Sequence, residues 1–134
     1  MRTLIVDSNV ISYIYKQDTR AALYEPHLVN ALAFISFMTL AELERWAIAQ
    51  NWGTRKHAGL LRLVQKRFAV IESNPALCRQ WAQVTEAVKK TGRVIQPSDA
   101  WIAATALLYN APLVTHNKAD FVFVPRLSII SEAP

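Results

Sequence analysis

Asp7 closes the apolar run Leu4-Ile5-Val6, and Glu42 follows Phe34-Ile35-Ser36-Phe37 at the distance of a helical turn. Asp99 opens the apolar stretch Ala100–Tyr109, and Asp120 lies just past Leu113-Val114-Thr115. Carboxylates are rarely buried without partners. Four of them beside buried elements need a shared partner, and a divalent cation supplies one by turning mutual repulsion into coordination. Acids gathered around such an ion support hydrolysis, because the metal polarises a phosphoryl oxygen and activates water.

Each acid also has a plainer explanation. Asp7-Ser8-Asn9 are all good capping residues and suit the start of a helix. Thr39-Leu40-Ala41-Glu42 fits a capping box, in which Glu42 reaches back to the amide of Thr39. Asp99 in a first helical turn complements the helix dipole whatever its role, and Asp120 suits a solvated turn. Asn117, three residues before Asp120, serves equally as a neutral ligand, a cap or a turn residue. What favours a common site is the number of acids falling on one edge. Arg45, three residues after Glu42, should overhang that site and contact a substrate phosphate. Asn9, Asn117 and Thr115 complete the candidate substrate-binding group.

Other chemistries fit poorly. His27, His57 and His116 lack metal-ligand spacing, and His57 falls on the apolar side of its helix, where packing is the expected role. Three glycines make no phosphate loop, and Ser8 has no partners for a triad.

The elements that must position these residues alternate. Thr3–Val6 reads as a buried strand and Ser8–Lys16 as a helix capped by Ser8. Asp18-Thr19 should cap a second helix towards Asn30. Ala33–Phe37 is the next strand, and a helix runs from about Leu40 to Gln50. Thr54 caps a helix through Lys66, whose residues Arg55, Arg62 and Lys66 form a basic stripe opposite Leu61, Val64 and Phe68. Phe68–Ile71 is a third strand. Leu77, Trp81, Val84 and Val88 keep helical spacing up to Gly92, a C′ residue. Pro97 starts a helix through Tyr109, and Leu113–Thr115 and Ser128–Ile130 are the last strands. This alternation predicts a three-layer α/β/α sandwich around a mostly parallel sheet. Ligand sites in such sheets lie at the carboxyl ends of strands, where Asp7, Glu42 and Asp120 fall. The N-terminus of the Pro97–Tyr109 helix brings Asp99 to the same edge.

At 134 residues the chain makes one domain, 1–134, able to bury roughly two-thirds of its unfolded surface. It is 52% hydrophobic and 19% charged, a globular balance that excludes disorder. No apolar run approaches the roughly 20 residues of a membrane span, and Asp7-Ser8-Asn9 interrupt the N-terminal stretch too soon for a signal peptide. The one cysteine, Cys78, is expected as a packed thiol in a reducing, cytoplasmic setting. The net charge of +5 favours polyanionic partners. A basic exterior around converging acids suits a metal-dependent nuclease, which attracts phosphates broadly and holds them at one point.

Val6-Asp7-Ser8-Asn9, Thr39-Leu40-Ala41-Glu42-Leu43, Ser98 to Ala106 and Leu113 to Phe121 resemble, collinearly, the PIN-domain family. Within it they are similar to the VapC-type toxins of prokaryotic toxin–antitoxin pairs. The resemblance implies a homodimeric endoribonuclease that uses Mg²⁺, with Mn²⁺ as substitute, to direct water at a phosphodiester. It implies a cognate antitoxin protein as partner. By position Asp7, Glu42, Asp99 and Asp120 match the family's acidic quartet as metal ligands and catalytic residues, with Asn117 beside them. Related toxins often carry glycine where this chain has Trp46, which bears on access to the cleft. Two rival classes are a catalytically silent PIN-like module that binds RNA or protein, and a phosphotransfer domain using Asp7 as nucleophile. Asn9 stands where aspartate phosphatases place a second acid.

Overall fold

A computed structural model describes all 134 residues. Five strands form one sheet in the order β3-β2-β1-β4-β5, and every neighbouring pair is parallel. They are β1 (Arg2–Val6), β2 (Ala31–Ser36), β3 (Ala69–Ile71), β4 (Leu113–Val114) and β5 (Ile129–Ile130). Six helices connect them: α1 (Ser8–Lys16), α2 (Ala21–Leu28), α3 (Phe37–Ala49), α4 (Thr54–Arg67), α5 (Pro75–Lys90) and α6 (Pro97–Leu108). The α/β sandwich expected from the alternation is the one observed.

Strands buried on both faces are apolar throughout rather than alternating, and β1 shows why. Leu4 and Val6 enter a core with Val10, Ile11, Leu43, Leu60 and Val64 from α1, α3 and α4. Ile5, pointing the other way, joins Leu77, Val84 and Val88 of α5 and the buried run of α6. Leu113 and Val114 divide between the same two cores. All three layers therefore depend on strands that present side chains to both sides.

The winding reverses at β1: β2 and β3 lie to one side, β4 and β5 to the other. The carboxyl ends of β1 and β4 flank the resulting crevice, the position where open parallel sheets bind ligands. Asp7 follows β1 and Thr115 follows β4.

Several boundaries differ from the sequence reading. The cap of α1 is Asp7 rather than Ser8, its Oδ1 accepting the Ser8 N–H at 2.8 Å. α2 is shorter than expected and ends at Leu28, with Asn30 in the left-handed region at φ 59°. α3 begins at Phe37, not Leu40, because the Ser36 hydroxyl accepts the Met38 N–H at 3.1 Å. Thr39 is thus already helical and fully buried, its hydroxyl unpartnered. No capping box forms, and Glu42 is free of that role. Cys78 is exposed, correcting the expectation of a packed thiol. Its neighbour Leu77 takes the inward position, and one residue further turns the side chain by about 100°. The cation stripe Arg55, Arg62 and Lys66 faces solvent.

α6 is the element whose placement matters most, because it carries Asp99. Pro97 starts it and Ala100 and Ile102 to Ala106 are all buried at 1% exposure or less. A helix this apolar must be covered on several sides, and here β1, β2, α3 and α5 cover it. Ile102→Ala should cost about 2–5 kcal/mol in urea unfolding, the usual range for truncating a buried aliphatic side chain. A loss under about 1 kcal/mol would contradict so tight a sandwich.

Candidate active site

The three acids from β1, α3 and α6 meet over the sheet's reversal point. Asp7, Glu42 and Asp99 line one polar cavity of about 210 Å³, with Ser8, Asn9, Ser12, Lys16, Trp46 and Asn117 around it. Asp7 lies deepest, at 4% exposure. Its Oδ1 accepts the Ser8 amide. Its Oδ2 accepts the Thr115 hydroxyl at 2.7 Å and the Asn9 amide at 3.3 Å. A carboxylate has about four lone-pair directions, so roughly one of Asp7's remains for the cavity. Glu42 is tied in as well, since the Ser8 hydroxyl donates to its Oε1 at 3.2 Å.

Burial and mutual repulsion govern the charge state. Desolvation raises the Asp7 pKa against the pull of its hydrogen bonds to Thr115, Ser8 and Asn9, and the Asp120 charge raises it further. Burial, then the charges of Asp7 and Asp99, push Glu42 up to about 7. Burial, then Asp7 and Asp120, push Asp99 up to about 6. Each shift marks a carboxylate that water and its neighbours leave under-compensated.

The other expected residues divide. Asp120 lies on an exposed 3-10 turn, Lys118–Asp120, lining a neighbouring cleft with His116, Asn117 and Lys118 rather than the acid cavity. It acts on Asp7 and Asp99 through its charge. Asn117 lines both spaces. Arg45 is exposed in a shallow cleft with Glu42, Trp46 and Ala49, beside the acids but outside their cavity. Asn9 bridges the two strand ends, its Nδ2 donating to Asp7 and its Oδ1 accepting the His116 amide at 3.1 Å. Thr115, expected to contact substrate, is fully buried. Its hydroxyl donates to Asp7 and accepts the Asn117 N–H at 3.0 Å, so it positions the acid instead.

Sequence reasoning missed Lys16 and Ser12. With Ser8 they repeat every four residues along α1, a spacing that places them on one face. The three histidines are otherwise occupied. His116 Nδ1 meets the Tyr24 hydroxyl at 2.6 Å, His27 approaches Glu132 at 3.6 Å, and His57 pairs with Glu44 across α3 and α4. That last contact is polar, where packing was expected. The Asp7 phosphotransfer rival is disfavoured by geometry, since both carboxylate oxygens are hydrogen-bonded in a nearly closed setting.

Oxygen donors of this kind suit a hard divalent cation. The acids are spread more widely than a coordination shell: no three acidic, histidine or cysteine side chains stand close enough to share one ion.

The PIN domain family profile matches residues 4–126. The chain belongs to the PIN-domain family. "Ribonuclease VapC1" of Haemophilus influenzae strain R2866 is 34% identical over 120 residues, 87% of this PIN domain and 88% of that protein. A solved structure of VapBC-1 from nontypeable Haemophilus influenzae superposes with a TM-score of 0.82 at 28% identity, covering 96% of this chain and 97% of that one. VapBC2 from Rickettsia felis, bound to a promoter DNA fragment, also gives 0.82, at 22% identity, over 96% and 98% of the two chains. At that identity it speaks for the fold alone.

The charge states make a signed prediction for the metal-free PIN domain. Glu42's folded pKa of about 7 exceeds its ordinary 4.5, so its contribution to stability is complete below pH 4.5 and is lost as pH rises through about 7. Asp99 adds the same trend between 3.8 and about 6. Thermal melts in chelator should show Glu42→Gln gaining stability over the wild type as pH climbs from 5 to 8, about the span of these pKa values. Parallel curves for the two proteins would refute the assigned repulsion.

Proposed function

We propose that this PIN domain is a metal-dependent endoribonuclease, the toxin of a toxin–antitoxin pair. The observation that carries the reading is the convergence of Asp7, Glu42 and Asp99 on one polar cavity at the sheet's reversal point, with under-compensated charge on all three. The family match and the ribonuclease relative support it. No helix is long and apolar enough to cross a membrane, and a basic protein, with 15 Lys and Arg against 10 acids, suits an RNA substrate.

Asp7, Glu42 and Asp99, too far apart as placed to share a coordination shell, would hold the ion by drawing their side chains together, Mg²⁺ by preference and Mn²⁺ as substitute, with Asp120 adding its charge from the adjoining turn. When bound, the cation supplies Lewis acidity towards the phosphate and lowers the pKa of an attacking water. The remaining work falls to side chains of this chain. Ser8, Asn9 and Thr115 hold Asp7 in one orientation, which keeps its remaining lone pair directed at the cavity. Glu42, about half-protonated near neutrality, and Asp99, whose pKa of about 6 leaves it mostly ionised there, would give up their remaining protons on binding a cation. Lys16 and Arg45 stand outside every ion pair of the structure and are free to hold substrate phosphates. Hydrolysis then leaves a 5′-phosphate and a 3′-hydroxyl. Single-stranded or loop RNA fits better than a duplex, because an unstacked strand can lower one phosphate to recessed acids.

The partners that follow are a cognate antitoxin and a second copy of the chain in a homodimer. Relatives named as VapBC assemblies support the first.

Purified protein freed of antitoxin should cut single-stranded RNA with Mg²⁺ or Mn²⁺ and stop on chelation. Asp7→Asn and Asp99→Asn should each lower the rate about 100-fold or more, the scale of losing a preorganised group at developing charge. Calorimetry below pH 7 should register protons released on Mn²⁺ binding. Full cleavage by Asp99→Asn, or cleavage undiminished in chelator, would overturn the reading.

A further inference from the structure

Trp46 lies one turn beyond Glu42 on α3 and lines two spaces at once: the acid cavity and the shallow cleft that holds Arg45. Its ring is partly exposed and fixed from the protein side. Trp52 meets it edge-to-face, with centroids 4.7 Å apart and planes at 62°. Trp52 is itself braced by Tyr15, at 5.5 Å, and capped by the Lys56 ammonium 4.3 Å from its ring. The Tyr15 hydroxyl donates to the Lys56 carbonyl at 2.7 Å, tying α1 to α4 behind the aromatic pair. An indole held in this way keeps its orientation without a ligand, and little side-chain entropy remains to be lost on binding.

A cation lines each of the two spaces. Lys16 lines the acid cavity with its ammonium 5.7 Å from the Trp46 centroid, at the outer limit of a cation–π contact. Arg45 lines the outer cleft. Neither pairs with a carboxylate. Each of the two spaces that Trp46 lines thus holds one unpaired cation, and cations beside an aromatic platform match phosphates beside a base along an unpaired strand. Stacking tolerates any base, and strand-binding sites combine such platforms with cations along the backbone.

We propose that Trp46, with Lys16 and Arg45, forms a nucleotide subsite that stacks an unpaired base next to the phosphate presented at the acid cavity. The proposal rests on the endoribonuclease reading and adds to it the element that selects single-stranded RNA. Trp46 binds substrate here and takes no part in bond cleavage.

The test uses the full chain in chelator, so that nothing is cut, with a fluorescent single-stranded oligoadenylate as probe. Trp46→Ala should weaken binding about 10-fold, within the range for losing one stacked base. Trp46→Phe, which keeps a ring, should restore most of the affinity while losing the indole quenching that RNA produces in the wild type. Replacing bases one at a time by abasic sites should reveal a position at which Trp46→Ala has no further effect, because the contact is already gone. Lys16→Gln should reduce the salt slope by about one phosphate contact.

Equal affinity of wild type and Trp46→Ala in chelator, with RNA cut once Mg²⁺ is restored, would overturn the subsite and leave the nuclease reading intact. A uniform loss at every abasic position would also overturn it, exposing a general distortion of α3. Failure of the wild type to bind any RNA in chelator would overturn the subsite, and failure to cut RNA when Mg²⁺ or Mn²⁺ is supplied would remove both proposals. A Trp46→Ala variant that keeps its RNA affinity but loses its protein antitoxin would assign the rim to that partner and overturn the subsite.

Discussion

Repulsion between carboxylates brought together by the sheet is the constraint on which this structure turns. Asp7 is fixed by the end of β1 and almost closed off from water. Glu42 and Asp99 arrive on separate helices, each with a pKa raised by burial and by the same neighbour. The fold holds them there because its largest apolar contacts leave no alternative. α6 is sandwiched by its own composition, and α3 is anchored by Leu43 and Ala47 in the opposite core. Stability lost at the crevice is supplied by packing elsewhere, the usual arrangement at functional sites.

Around Asp7 a small hydrogen-bonded network decides which way the charge points. Thr115 reaches it from β4, Ser8 and Asn9 from α1, and Asn9 also holds the His116 amide. His116 continues the chain of contacts to Tyr24, whose hydroxyl accepts the Glu132 amide at 3.0 Å. The acid end of the sheet is thereby linked to the C-terminal segment after β5. A buried polar network of this kind rigidifies only when each member is satisfied, and here every group around Asp7 has a partner.

Much of this was legible in the chain. Pro97 followed by an apolar run identified α6 and put Asp99 at its start, and the carboxyl end of a buried strand in a parallel sheet put Asp7 at the ligand-binding edge. What misled was local ambiguity. Phe37-Met38-Thr39 read as the end of a strand followed by a cap, whereas Ser36 had already started the helix. Asp120 follows an apolar strand in sequence, but the 3-10 turn carries it outward. Thr115 reads as a polar residue at a site and is one, though its hydroxyl faces Asp7 rather than the cleft. Lys16 was hidden because its signal is a four-residue repeat along α1, visible only once Ser8 and Ser12 are known to face the acids.

The account stands or falls on whether these acids share one ion. Crystals grown with Mn²⁺ and measured at its absorption edge would locate the metal by anomalous scattering. One strong peak between Asp7 and Asp99, with Glu42 turned towards it, is the predicted result. A crevice without anomalous signal, or manganese bound only at distant surface carboxylates, would contradict it.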